Sequence, residues 1–136
     1  MRDLHDNIKV TSIINPGAII AANGTTTSVI IDTQGYDSLE LLVQSGAITD
    51  GTFTGTIYHG DASNLSDEAA CSADDLLGSA PAFDGSVSAD DNTTKRVGYI
   101  GNKRYVRLKE LQAGASTGGY LSAIAVQGHA KVRPVP

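Results

Sequence analysis

At 136 residues the chain has room for one domain and one core, and its single cysteine excludes an intrachain disulfide framework. Its net charge of −5, from 10 basic and 15 acidic residues, argues against nucleic acid as the main ligand, because phosphate binding goes with a basic domain. The sequence holds no apolar run of about 18 residues and no charged-then-apolar leader, so neither a membrane span nor a signal peptide is expected.

Residues 1–9 are polar and aperiodic and are expected to form an N-terminal arm. Val10 to Ile14 reads as a short strand ended by the turn Asn15-Pro16-Gly17. Gly17 to Ala22 and Thr25 to Asp32 flank Asn23-Gly24, the two-residue loop that type I′ hairpins favour. Leu39, Leu41 and Val43 alternate with Glu40 and Gln44, which predicts a half-buried strand. Asp50-Gly51 is a second hairpin signal, leading into a strand with Phe53 and Ile57 on one face and Thr52, Thr54, Thr56 and Tyr58 on the other.

Residues 60–93 read as a long acidic loop region, with short ordered pieces at Asp75 to Leu77 and Ala80 to Phe83. Two strands follow, Thr94 to Ile100 and Lys103 to Leu111, joined by a turn at Gly101-Asn102. After the turn Gly114 to Gly119 comes a last strand, Tyr120 to Gln127, and then an extended tail, 129–136, in which prolines remove ladder donors. Seven to nine short strands with polar turns and almost no helical periodicity predict an all-β domain, a β-sandwich or jelly roll spanning 10–128, with long irregular loops and extended terminal arms. The expected core is lean: two Phe, no Trp, and many inward Ala, Ser and Gly, which makes burial in a homo-oligomer a natural supplement.

Charge is unevenly spread along the chain. No Lys or Arg occurs from Val10 to Thr94, and Asp61, Asp67, Glu68, Asp74, Asp75, Asp84, Asp90 and Asp91 crowd one stretch. Lys95, Arg96, Lys103, Arg104, Arg107 and Lys109 then follow without an acid until Glu110. This linear segregation predicts one acidic and one basic region, suited to oriented association. Lys103, Tyr105, Arg107 and Lys109 share a strand face, and Val106 and Leu108 take the other. That row reads as a docking face for an acidic protein surface, as an ordinary exposed strand face, or as a platform for single-stranded nucleic acid.

Signals for chemistry are weak. His5, His59 and His129 lack metal-ligand spacing, and the acidic stretch lacks the Asp-x-Asp-x-Asp-Gly pattern of a calcium loop, so no metal and no cofactor is expected. Cys71 has no basic neighbour, Ser45 and Ser116 lie outside any Gly-x-Ser-x-Gly elbow, and Gly98 to Lys103 misses the phosphate-loop spacing. Asn-x-Ser/Thr triplets at Asn23, Asn64 and Asn92 read as chance in a Thr- and Asn-rich chain. No catalytic residues are assigned and an enzyme is not expected.

Three segments carry a resemblance: Met1 to Ile8, Arg96-Val-Gly-Tyr-Ile-Gly-Asn-Lys-Arg-Tyr-Val-Arg107, and Val126-Gln-Gly-His-Ala-Lys-Val-Arg-Pro134. Together they resemble a family of small tailed-bacteriophage head proteins over nearly the whole chain, the central segment being the most specific. The resemblance implies a minor capsid component made in the bacterial cytoplasm, a decoration or cement protein on the outer capsid surface. It implies binding to the major capsid protein, as a trimer near threefold positions, with no membrane and no direct nucleic-acid contact. Head–tail connector or completion proteins of similar size, and a carbohydrate- or receptor-binding jelly roll on the virion surface, are the alternatives. The contacts expected are the arm (Arg2, Asp3, His5), the row (Lys103, Tyr105, Arg107) and the tail (Lys131, Arg133).

Overall fold

A computed structural model describes residues 3–135, and within them the chain forms β1 (Lys9–Ile14), β2 (Gly24–Thr27), β3 (Ile31–Asp32), β4 (Tyr36–Ile48), β5 (Thr52–Gly60), β6 (Ala69–Ala70), β7 (Leu76–Leu77), β8 (Ala82–Asp84), β9 (Thr94–Tyr99), β10 (Tyr105–Ala113) and β11 (Gly119–Ala130). One antiparallel sheet runs β1-β11-β4-β9-β7; the other runs β2-β10-β5-β6, with β3 also on β10 and β8 also on β5. Each long strand lies in the opposite sheet from its sequence neighbour, the ordering of a jelly roll. The all-β sandwich expected from the sequence is what the chain forms.

Alternation sets what goes inside. Leu39, Leu41 and Val43 of β4, Val97 of β9, Phe53 and Ile57 of β5, and Val106 and Leu108 of β10 are all buried and join one core cluster. Small Ala123 and Ala125 of β11 complete it, and the two phenylalanines are direct cross-strand partners, Phe53 opposite Phe83. The short pieces expected near 75–77 and 80–83 are β7 and β8.

Several local expectations fail, for a shared reason. Asn23-Gly24 does not make a hairpin: β2 pairs with β10, and the Asn23 side-chain oxygen instead accepts the Ala115 amide at 3.0 Å. The run Ala18 to Ala22 has no alternating face to bury, and touches a sheet only through the bridge of Ile20 to Gly119. Asp50-Gly51 and Gly101-Asn102 likewise link strands of different sheets, because tertiary pairing overrides turn propensity. β11 also runs on to Ala130, three residues past its expected end at Gln127, so the ladder enters what reads in the sequence as the tail.

The acidic stretch is scaffolding. Irregular backbone lacks ladder partners, and carboxylates supply the missing acceptors. Asp67 takes the amides of Asp61 and Ala62 at 2.8 and 3.1 Å, Asp84 that of Ser86 at 2.8 Å, and Asp90 that of Asp84 at 2.9 Å. Asp91 holds the Ile48 amide at 2.9 Å, tying this stretch to the end of β4.

Candidate interaction surface

Strand alternation turns Tyr105, Arg107 and Lys109 outward on β10, as expected, while Lys103 precedes the strand. The acidic stretch folds back over them. Lys103 Nζ lies 2.5 Å from Asp61, Arg107 Nε donates to Glu68 at 2.6 Å, and Lys109 donates to the other oxygen of Glu68. Arg104 grips Asp32 through two bonds of 2.9 and 2.8 Å. Lys109 also sits 4.5 Å above the Tyr58 ring. The Lys109 ammonium first, with the Arg107 guanidinium, holds the Glu68 carboxyl below its ordinary value; the Arg104 hydrogen bond does the same for Asp32. The separate acidic and basic regions expected from the sequence therefore do not exist as surfaces, since the fold brings them into mutual contact.

The opposite sheet presents a different outer face. Val10 pairs across to Val126, and Ile124 to Leu42, giving an apolar patch with Val10 55% and Ile124 37% exposed. Beside it Arg96, 79% exposed, reaches Glu40 only at 3.8 Å. The first and last described segments, from Asp3 and through Arg133, lie over one end of this face. A 3-10 turn, His5–Asn7, is closed by the Asn7 backbone amide on the Leu4 carbonyl at 3.1 Å and the Asn7 side-chain Nδ2 on the Asp3 carbonyl at 2.8 Å, and the Val135 amide donates to the Asp6 carbonyl at 3.2 Å.

Between these ends and the sheet lies a groove of about 910 Å³. Its walls include Leu4, Ile8 and Val126, with Asp3, Asp37, Glu40 and Arg133 as charged members. Gly98 and Gly128 help make its floor, where a Cβ would meet Glu40 at 3.0 Å and Ser38 at 2.9 Å.

Of the contact residues expected from the sequence, Asp3 and Arg133 both line the groove. His5 is exposed in the turn above it, and Lys131 pairs with Asp37 at 3.5 Å on its flank. Arg2 lies outside the described residues. Lys103, Tyr105 and Arg107 belong to the other sheet's side, so the expected residues form two separate groups.

Near the end of the sandwich Tyr99 links the sheets. Its hydroxyl accepts the Lys103 amide at 3.0 Å and lies 3.0 Å from His59 Nδ1, the rings edge to face at 5.8 Å. Burial pushes the Tyr99 hydroxyl up to about 12 and the Cys71 thiol up to about 11, away from the thiolate a nucleophile needs. Among the described residues no group of three or more His, Cys, Asp or Glu is placed to hold a metal, and no helix is long and apolar enough to cross a membrane.

The sequence reading missed Glu110. It follows Val106 and Leu108 on the inward face of β10, is 0% exposed, and neither carboxyl oxygen has a hydrogen-bond partner. Period-2 alternation alone would have placed it there.

No protein-family model matches the chain, and no curated protein does. Among solved structures, one of the infectious bursal disease virus Gx strain is 17% identical with a TM-score of 0.43, covering 93% of this chain and 33% of that one. A family two carbohydrate esterase from Cellvibrio japonicus is 11% identical at TM-score 0.40, covering 96% of this chain and 32% of its own. The CBM35 from Paenibacillus barcinonensis is 13% identical at TM-score 0.42, with 90% and 93% covered. This chain spans about a third of the length of the first two. Likenesses this weak say nothing of function.

Proposed function

We propose that this chain is a non-enzymatic virion protein, a decoration or cement protein that binds the major capsid protein on the outer surface of a tailed-phage shell and acts as a trimer. The sequence resemblance supports that reading. The observation that carries it furthest is the outer side of the five-stranded sheet, where Asp3 to Ile8 and Arg133 wall a groove that reaches Val126 and, next to it, Val10 and Ile124 stay exposed beside half-buried Leu42. The Lys103, Tyr105, Arg107 side is a poorer docking face because its cations already have partners.

A contact of about 800 Å² per copy is of ordinary size. A trimer bridging several shell subunits multiplies such contacts through effective concentration, and it stabilises the assembled lattice because only that state presents all of them together.

The test is reconstitution on purified shells that lack the protein, with bound copies counted by quantitative mass spectrometry. Ile124→Glu with Val126→Glu should lower occupancy at least tenfold, while Arg107→Ala should leave it unchanged. Saturation at a single ring of copies would instead fit the head–tail connector alternative. Absence of binding by the wild-type protein overturns the reading.

A further inference from the structure

Glu110 faces inward on β10, register-paired with Gly55 of β5 and Thr26 of β2. A Cβ at Gly55 would stand 2.8 Å from Glu110 Oε1 and 2.6 Å from the Pro81 carbonyl oxygen. The carboxyl and the carbonyl therefore crowd the same point over a residue with no side chain. The Pro81 oxygen already accepts the Gly55 amide at 2.7 Å, and a carbonyl has a second lone pair to offer. Two acceptors near one buried point have no donor between them unless the carboxyl carries a proton.

No charge compensates. β2 has no titratable residue; β5 has Tyr58, which lies under Lys109 on the outer face, and His59, held by Tyr99; the one on β8 is Asp84, which accepts from Ser86. On the inward face of the facing sheet Leu41, Val43, Ser45, Val97, Leu121 and Ala123 are uncharged; the titratable groups of that face of β9 are Tyr99 and Lys95, and Lys95 is taken up by Asp90 and the Ala82 carbonyl. On β10 itself, Arg107 and Lys109 point to the other face and bind Glu68.

We propose that Glu110 is a proton-dependent clasp: as the neutral acid it donates to the Pro81 carbonyl and holds residues 81–91 against β5, and loss of the proton lets that segment lift. β8 has three register pairs, all with β5, so the Pro81 end of the segment is the part that lifts, and Asp91, bonded to the Ile48 amide, stays as its fixed end. Lifting it would bring water to the carboxylate beside Gly55.

Burial pushes the carboxyl up to about 8 from its ordinary 4.5. A raised carboxyl favours the closed form below about 4.5 and loses that contribution progressively as pH rises to about 8. Opening should therefore grow about tenfold per pH unit in that window and level off above it.

Amide hydrogen exchange from pH 5 to 10, corrected for intrinsic rates, reads this at Gly55, which bonds Pro81, and at Gly85, which bonds Gly51. In the wild type both should follow the tenfold-per-unit slope with a plateau. They should also stay at least tenfold less protected than amides of β4 and β11. In Glu110→Gln the slope should vanish. A flat wild-type profile, the same slope in Glu110→Gln, or protection equal to that of β4 and β11 overturns the clasp. Should Glu110→Gln fail to fold, Glu110→Leu takes its place. The carboxyl 13C titration of Glu110 in the wild type decides independently, a midpoint below about 5 refuting the proposal.

Discussion

Truncation of Phe83 to alanine tests what holds β8 on the sandwich. Phe83 is 2% exposed and its register partner Phe53 is 1% exposed, so each ring is enclosed and each closes the other in. Lys95 Nζ lies 4.7 Å from the Phe83 ring centre and also donates to the Ala82 carbonyl, which caps the same short strand. Full burial of such a ring removes on the order of 150–200 Å² from water, or about 4–5 kcal/mol at about 25 cal/mol per Å².

Phe→Ala in cores costs a similar amount, about 3–5 kcal/mol, a large part of the total for a domain of this size. Urea unfolding at neutral pH should show the midpoint falling by roughly 2 M for Phe83→Ala. Phe83→Leu should lose under about 1.5 kcal/mol. Because the rings share one enclosure, Phe53→Ala and Phe83→Ala together should destabilise by at least about 1 kcal/mol less than the sum of the two. A loss below about 1 kcal/mol for Phe83→Ala, or strict additivity in the pair, would refute the view that the two rings form one unit.

Two further outcomes concern charge. Asp50 accepts the Ser116 hydroxyl at 2.5 Å and the Gly118 amide at 2.5 Å, and these bonds hold its carboxyl far below the ordinary 3.8. A depressed carboxyl contributes stability above its unfolded value and loses it as pH falls through the folded one. Asp50→Asn should therefore lower the melting temperature at pH 7 and by progressively less below pH 4, whereas a pH-independent loss would contradict this account. Glu68→Gln removes the shared partner of Arg107 and Lys109; the loss should stay under about 1 kcal/mol, while elution from a cation exchanger moves to higher salt. Unchanged elution would mean those cations were never masked.

Much of the fold was legible because alternation is a local signal. Leu39, Leu41 and Val43, or Val106 and Leu108, reveal their faces without any knowledge of what they pack on. What alternation does not encode is which sheet a strand joins. Asp50-Gly51 suits a hairpin as well as it suits a crossing between sheets, and the choice is made by ladders between distant segments such as β4 and β11. The site was less legible for the same reason. Lys103 and Asp61 are 42 residues apart, so their pairing could not be seen in a chain that reads as acidic and then basic. Glu110 obeyed the alternation, and its charge concealed it: a carboxylate following six cations reads as surface, although its parity is that of Leu108.

The closure of these ion pairs changes what kind of partner suits the molecule. Among the described residues seven cations are engaged with six carboxylates, Glu68 taking two of them. With net charge −5, the field that remains outside those pairs is negative. An acidic partner surface, which the β10 row alone would favour, meets repulsion from the rest of the chain. The groove side offers apolar area with Asp3, Asp37 and Glu40 against the single cation Arg133 on its walls, and that acidic balance fits a shell surface carrying apolar side chains and cations. Attachment through such a face should weaken as salt rises, since screening removes the steering charge, yet persist in part because apolar burial remains. Attachment that strengthens with salt would place the contact on apolar burial alone and remove the carboxylates from it.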